Sequence, residues 1–199
     1  MIRPVSVIIP VIRPEGAERC RDAIFDNAGI PSDTFEVLAL EDKERIGVAK
    51  MVAALTEQSS YDLVCFLADD TIPQPDFLLN ALLAMDRLPD EWGLVGLNDG
   101  FHGEELATHW LADKRLLPLI GGEFFHTGYY HCFTDDELTS RCKALGRYVW
   151  AEDAKILHLH PMLSGRSTNR EEYPGYITEN FMHDQVLFHV RRRNGWKTP

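Results

Sequence analysis

Two adjacent carboxylates, Asp69 and Asp70, close an apolar run that begins at Leu63. A buried strand that stops at two acids concentrates negative charge at a sheet edge. The pair repels itself and costs desolvation energy unless a cation or a hydrogen-bond network offsets it. A divalent metal holding a diphosphate is one solution, because hard cations take oxygen ligands and bridge phosphate oxygens. A solvated turn ending the strand is the plain alternative. A second acidic pair, Glu41-Asp42, follows the apolar run at 35–40, and a third, Asp135-Asp136, opens a segment of helical spacing. His158 and His160 flank Leu159, so on a strand they share one face.

The elements that must position these groups alternate. Val5-Ser6-Val7-Ile8-Ile9, closed by Pro10, reads as a strand, and 16–28 as a helix with Ala17, Cys20, Ala23 and Ile24 on one face. Residues 35–40 form a second strand and 46–55 a helix. Residues 63–67 form a third strand, Pro75-Asp76 opens another helix, and 92–97 form a fourth strand. Such alternation predicts an α/β domain with a largely parallel sheet flanked by helices. Ligands of open α/β sheets bind beyond the carboxyl ends of the strands, so both Glu41-Asp42 and Asp69-Asp70 are expected to face one crevice. In the second half, 104–117 and 135–145 have helical spacing, 148–150 and 155–160 read as strands, and 177–193 as a closing helix. Residues 161–176, rich in Ser, Thr, Gly and Asn, read as a loop.

The 199 residues suffice for one sizeable core and are read as a single domain, 1–199. The formal net charge of -11 argues against a chain whose main task is gripping nucleic-acid phosphates, though a metal and a few local basic groups can reverse the sign inside one cleft. Cys20, Cys65, Cys132 and Cys142 include no C-x-x-C pair, which speaks against structural zinc and for a reducing, cytoplasmic setting. No apolar stretch approaches a membrane span, and the run at 5–12 is too short and too β-branched for a signal peptide.

The order of pieces resembles the nucleotide-sugar glycosyltransferases of the GT-A fold, family 2 in particular. VSVIIP at 5–10 resembles the family's first strand, and 35–42 its second strand with a terminal acidic pair. FLADDTIPQPDF at 66–77 resembles the metal-site segment F-L-D-x-D-x-x-x-P-x-x-F, with Ala68 where many members have the first Asp. DDELTSR at 135–141, followed by Gly146, resembles E-D-x-D-L-x-x-R and its Gly, with Thr134 in place of the Glu. AKILH at 154–158 resembles the late strand ending in a metal-ligating His.

The resemblance implies a metal-dependent, inverting transfer of a sugar from a nucleoside-diphosphate donor, UDP-linked by preference, to an unknown hydroxyl acceptor. Residues 1–100 would form the donor half and 101–199 the acceptor half. Asp42, or Glu41 beside it, would accept a hydrogen bond from the nucleobase, and Pro10 would line the base pocket. Asp70 would ligate Mn2+ or Mg2+ with His158, while Asp69 touches the ribose or the metal's water and His160 the metal or a phosphate. Asp135 would be the general base, with Asp136 its substitute if the register is off by one, and its place at a helix start would keep it ionised. Lys50, Arg45 and Arg166 are candidates for the diphosphate. His126 and His131, flanking Tyr129-Tyr130, form an aromatic patch suited to a sugar or to packing. Arg191-Arg192-Arg193 reads as cations complementing a helix end, and His183-Asp184 as surface. A non-catalytic nucleotide-sugar or carbohydrate-binding module on the same scaffold is the alternative. The poor phosphate cradle at 11–16 argues against a nucleotidyltransferase.

Overall fold

The computed structural model describes residues 2–160 and 178–197. In chain order the elements are β1 (Val5–Val11), α1 (Pro14–Asn27), β2 (Phe35–Glu41), α2 (Val48–Gln58), β3 (Leu63–Phe66) and β4 (Thr71–Pro73). Then follow α3 (Phe77–Met85), β5 (Leu94–Asn98), β6 (Trp110–Asp113), α4 (Thr134–Ala144), β7 (Tyr148–His158) and α5 (Thr178–Arg193).

The strands form one sheet in the order β2-β1-β3-β6-β5-β7-β4. β1 runs parallel to β2 and β3, and β5 parallel to β7, whereas β6 is antiparallel to β3 and β5, and β4 to β7. Only β4 and β6 therefore oppose the common direction, so the expected α/β architecture with a mostly parallel sheet holds. The central strands are apolar on both faces because both are covered. Val5, Val7 and Ile9 of β1 pack with Cys20 and Ile24 of α1 and with Leu78 and Met85 of α3. Ile8 points the other way, into a core shared with Val52 of α2, Trp110, Leu138 of α4 and Phe188 of α5.

Three elements differ from the sequence reading. The expected helix at 104–117 is instead a 3-10 turn (Gly103–Glu105), strand β6 and a second 3-10 helix (Lys114–Leu119). Pairing on both sides, with Leu111 opposite Cys65 and Val95, overrides the local helical preference. The two late strands are one, β7, with an irregularity that jumps its register from Leu97↔Ala151 to Asn98↔Lys155. The short β4, not foreseen, follows Asp70 directly and pairs Thr71 with His158. The expected loop at 161–176, and with it Arg166, lies outside the described residues.

Candidate active site

Beyond β3 the chain makes a tight turn, in which the Thr71 amide and hydroxyl both donate to the Ala68 carbonyl at 3.2 and 2.7 Å. This turn presents Asp69 and Asp70 at the carboxyl edge of the sheet, where both are buried. Asp69 sits under the start of α1. Its Oδ2 accepts the Ile12 and Arg13 amides at 2.7 and 2.6 Å, and its Oδ1 accepts Nε of Arg13 at 2.9 Å and also Nη2. The same guanidinium places Nη1 3.2 Å from Oδ2 of Asp70. Gly16 is what allows this approach: a Cβ there would strike the Asp69 carbonyl. The self-repulsion of the acidic pair is thus met by a fixed protein cation and two backbone amides.

The other oxygen of Asp70, Oδ1, lies 3.6 Å from Nε2 of His158. Strand pairing sets this proximity, since Thr71 opposes His158 and the Leu159 amide donates to the Asp70 carbonyl at 2.9 Å. His160 follows at the same face, its ring centroid 5.6 Å from that of His158, while Leu157 and Leu159 are exposed. Burial lowers the pKa of both histidines, that of His160 to about 4, so both imidazoles are neutral at pH 7. His109, buried and held well below its ordinary pKa by that burial, meets His158 edge-on at 4.7 Å and stacks on Phe66 at 5.8 Å.

Asp135 occupies the first turn of α4. Burial, with the neighbouring Asp136 carboxylate second, raises it to about 6. Desolvation thus outweighs the helix dipole here, yet a carboxyl at about 6 is still mostly ionised at pH 7. Asp70, Asp135, His158 and His160 nevertheless line one cavity of about 310 Å³, together with Arg13, His102, His109 and His131. Pro10, Asp42 and Asp69 line a smaller recess of about 60 Å³, whose wall shares Arg13, Val48, Phe66, Ala68 and His131 with the larger cavity. Asp42 spends one lone pair of each oxygen on the Ile46 and Gly47 amides, at 2.8 and 2.9 Å, which leaves each oxygen further acceptor capacity. Glu41, Arg45 and Lys50 are exposed and line neither space. Asp136 lines an outer groove with Phe101, His102 and Lys143 rather than the central cavity.

Two buried clamps on α5 hold the far wall. Asp184, which sequence alone places at the surface, has no exposure, and its carboxylate accepts the Tyr130, His131 and Cys132 amides at 2.8–3.0 Å. Arg191, read as a solvated helix-end cation, is buried and makes a forked pair with Glu137 at 2.8 and 2.7 Å. Glu137 also accepts the Tyr129 hydroxyl at 2.8 Å and Arg141 at 3.0 Å. Of the aromatic patch, Tyr129 is therefore core and His131 reaches the cavity, while Tyr130 stays partly exposed. At β5's end, burial pushes the Asp99 carboxyl up. Hydrogen bonds from the His102 amide and ring, the Phe101 amide and the Thr108 hydroxyl overrule it and hold the carboxyl near 2.

The sequence reading missed Arg13, His102 and His109 as cavity residues. Arg13 sits one residue before the proline that starts α1, a position from which a side chain reaches across to the end of β3, and that was its one available signal. Among the described residues no group of three or more His, Cys, Asp or Glu is arranged to cage a metal ion. Asp70 and His158 form a two-residue set instead, a carboxylate beside a neutral imidazole at 3.6 Å. That set would hold an ion of the Mn2+ or Mg2+ type only with further oxygen ligands from outside the protein.

No protein-family model and no curated protein matches the sequence. Solved structures do match it. The mannosyltransferase PcManGT from Pyrobaculum calidifontis, in complex with GDP-Man and Mn2+, is 18% identical at a TM-score of 0.62, over 79% of this chain and 57% of that one. TarS from S. aureus is 14% identical at a TM-score of 0.62, over 79% of this chain and 37% of its own. A Drosophila β1,4-galactosyltransferase 7 mutant, in complex with manganese, UDP-Gal and xylobiose, is 15% identical at 0.58, over 84% of this chain and 76% of that one. The chain spans little more than half of PcManGT and a little over a third of TarS. Order of strands, position of helices and these likenesses together identify the fold of this chain as GT-A.

Proposed function

We propose that this chain is a metal-dependent glycosyltransferase that moves a sugar from a nucleoside-diphosphate donor to a hydroxyl acceptor with inversion. The observation that carries the reading is the convergence of Asp70, His158 and Asp135, from three separate elements, on one cavity of about 310 Å³. The metal-bearing, sugar-nucleotide-bound neighbours support the donor class. UDP is favoured by the family resemblance, and Asp42 beside Pro10 would accept a uracil ring N–H. A guanine N–H donates as well, so the base is decided by measurement.

Asp70 and His158 would hold the divalent ion, which when bound acts as a Lewis acid on the leaving diphosphate. Arg13 adds fixed positive charge at the same place. Asp135 removes the acceptor hydroxyl's proton as its oxygen bonds to the anomeric carbon and the bond from that carbon to the diphosphate breaks. A carboxylate raised to about 6 is well matched to this task near neutral pH. The residues that would bind the donor, Pro10, Asp42 and Asp70, precede residue 100, whereas the base and His158 follow it; Asp69, its acceptor positions filled by Arg13 and two amides, would hold Arg13 in place rather than touch a ribose. Replacing Asp135 by Asn should lower turnover by about 10²-fold or more while leaving thermal stabilisation by donor and Mn2+ intact. Full activity in that variant removes Asp135 from the mechanism. A chain stabilised by donors that turns none of them over would instead be a binding module.

A further inference from the structure

Before any ligand arrives the Asp69-Asp70 pair already faces one fixed cation, Arg13, which cancels one of its two negative charges. Asp69 spends both carboxylate oxygens on Arg13 and on the Ile12 and Arg13 amides. Asp70 is divided, with Oδ2 3.2 Å from Nη1 of Arg13 and Oδ1 3.6 Å from Nε2 of His158. Arg13 lines both the central cavity and the smaller recess, so it borders the space assigned to donor and ion alike. Ala68 leaves the segment without a further carboxylate to balance a second cation.

We propose that Arg13 is a built-in counter-cation of the acidic pair, so that a divalent ion binds well only together with a diphosphate. The inference rests on the donor reading above and adds an order of events to it. An ion held by Asp70 would have to share that carboxylate with the Arg13 guanidinium, which lies 3.2 Å from it, and neighbouring like charges oppose each other strongly where water is scarce. A diphosphate brings negative charge that satisfies both cations at once, and guanidinium is well shaped to pair with it. The coupling must be reciprocal: whatever factor the diphosphate adds to metal affinity, the metal adds to diphosphate affinity.

The test is Mn2+ titration of the intact chain followed by electron paramagnetic resonance, alone and with UDP, GDP or inorganic pyrophosphate. The wild type should bind Mn2+ alone at least about tenfold more weakly than with a diphosphate, and calorimetry of the diphosphate with and without Mn2+ should return the same factor. Arg13→Gln should bind Mn2+ alone about tenfold more tightly than the wild type. Arg13→Lys, which keeps the charge and so guards against a Gln variant that does not fold, should keep the wild-type weakness. Equal Mn2+ affinity with and without a diphosphate that itself binds, or unchanged metal-alone affinity in a folded Arg13→Gln, overturns the role given to Arg13 and leaves the donor site standing. Failure of every diphosphate to bind any variant, with metal or without, overturns the donor reading itself.

Discussion

Burial and the Asp136 carboxylate together make Asp135 a weaker acid than a free aspartate, with a value of about 6. Below that pH the base is protonated, so kcat/KM for transfer should fall tenfold per pH unit beneath about 6, and a pH–rate profile under constant metal checks it. The same shift has a stability consequence. A carboxyl whose folded pKa is raised binds its proton more readily in the folded chain, so the fold loses stability as pH rises from about 4 to 6. Asp135→Asn should therefore melt a few degrees higher than the wild type at pH 7, and the difference should vanish near pH 4; differential scanning calorimetry at both values reads it. Gain of stability with loss of turnover is the signature of a group kept for chemistry. His102 carries a related prediction. Its Nδ1 lies 2.6 Å from the Asp99 carboxylate, and its ring borders both the central cavity and the outer groove. His102→Gln should raise the acceptor's KM while leaving the donor's unchanged.

At the scale of elements, α5 is the clamp of the cavity wall that carries His131. Its Asp184 fixes three consecutive amides of the segment that carries His131, and its Arg191 fixes Glu137, two residues beyond Asp135 on α4. The Tyr130 carbonyl is held from the other side by the Val48 amide at 2.9 Å, and Gly47, at φ 98°, comes so close to it that a Cβ would strike that carbonyl. Glu137→Gln leaves a buried guanidinium short of its counter-charge and should cost about 3–5 kcal/mol in urea unfolding. Replacing both partners, Glu137→Met with Arg191→Met, should recover only part of that loss: the apolar pair needs no desolvation to be repaid, but the Tyr129 hydroxyl and Arg141 still lose their acceptor. Asp184→Ala should cost a comparable amount by orphaning three donors.

The whole molecule brings distant segments to one edge. β1, β2 and β3 lie on one side of β6, and β5, β7 and β4 on the other, so the sheet unites strands from both ends of the described chain. No helix among the described residues is long and apolar enough to cross a membrane. Ligand that binds only the folded chain should raise its melting temperature. At a donor concentration about a hundred times Kd, with Mn2+, the gain is about 2.7 kcal/mol, or roughly 5–10 °C for a chain of this size. A panel of UDP, GDP, CMP and dTDP sugars read this way assigns the base.

What residue order determined by itself was local. Period-2 and period-3.6 patterns place β1, α1, β2, α2, β3 and α3, and acids mark the strand ends that border the cavity, because hydrophobic burial and strand geometry act within a few residues. Asp135 and His158 were singled out through the family resemblance, and the fold brings them with Asp70 to one cavity. Tertiary structure alone decided what depends on a partner far along the chain. β6 is a strand only because β3 and β5 flank it, and His158 faces Asp70 only because β4 pairs with β7. Asp184 and Arg191 look like surface charges until the fold buries them against the amides at 130–132 and Glu137, and Arg13 until the fold sets it, half-buried, on Asp69. A charge costs too much to bury unless its complement is there to meet it, and the complement's position is set by the folded chain, not by the neighbouring letters.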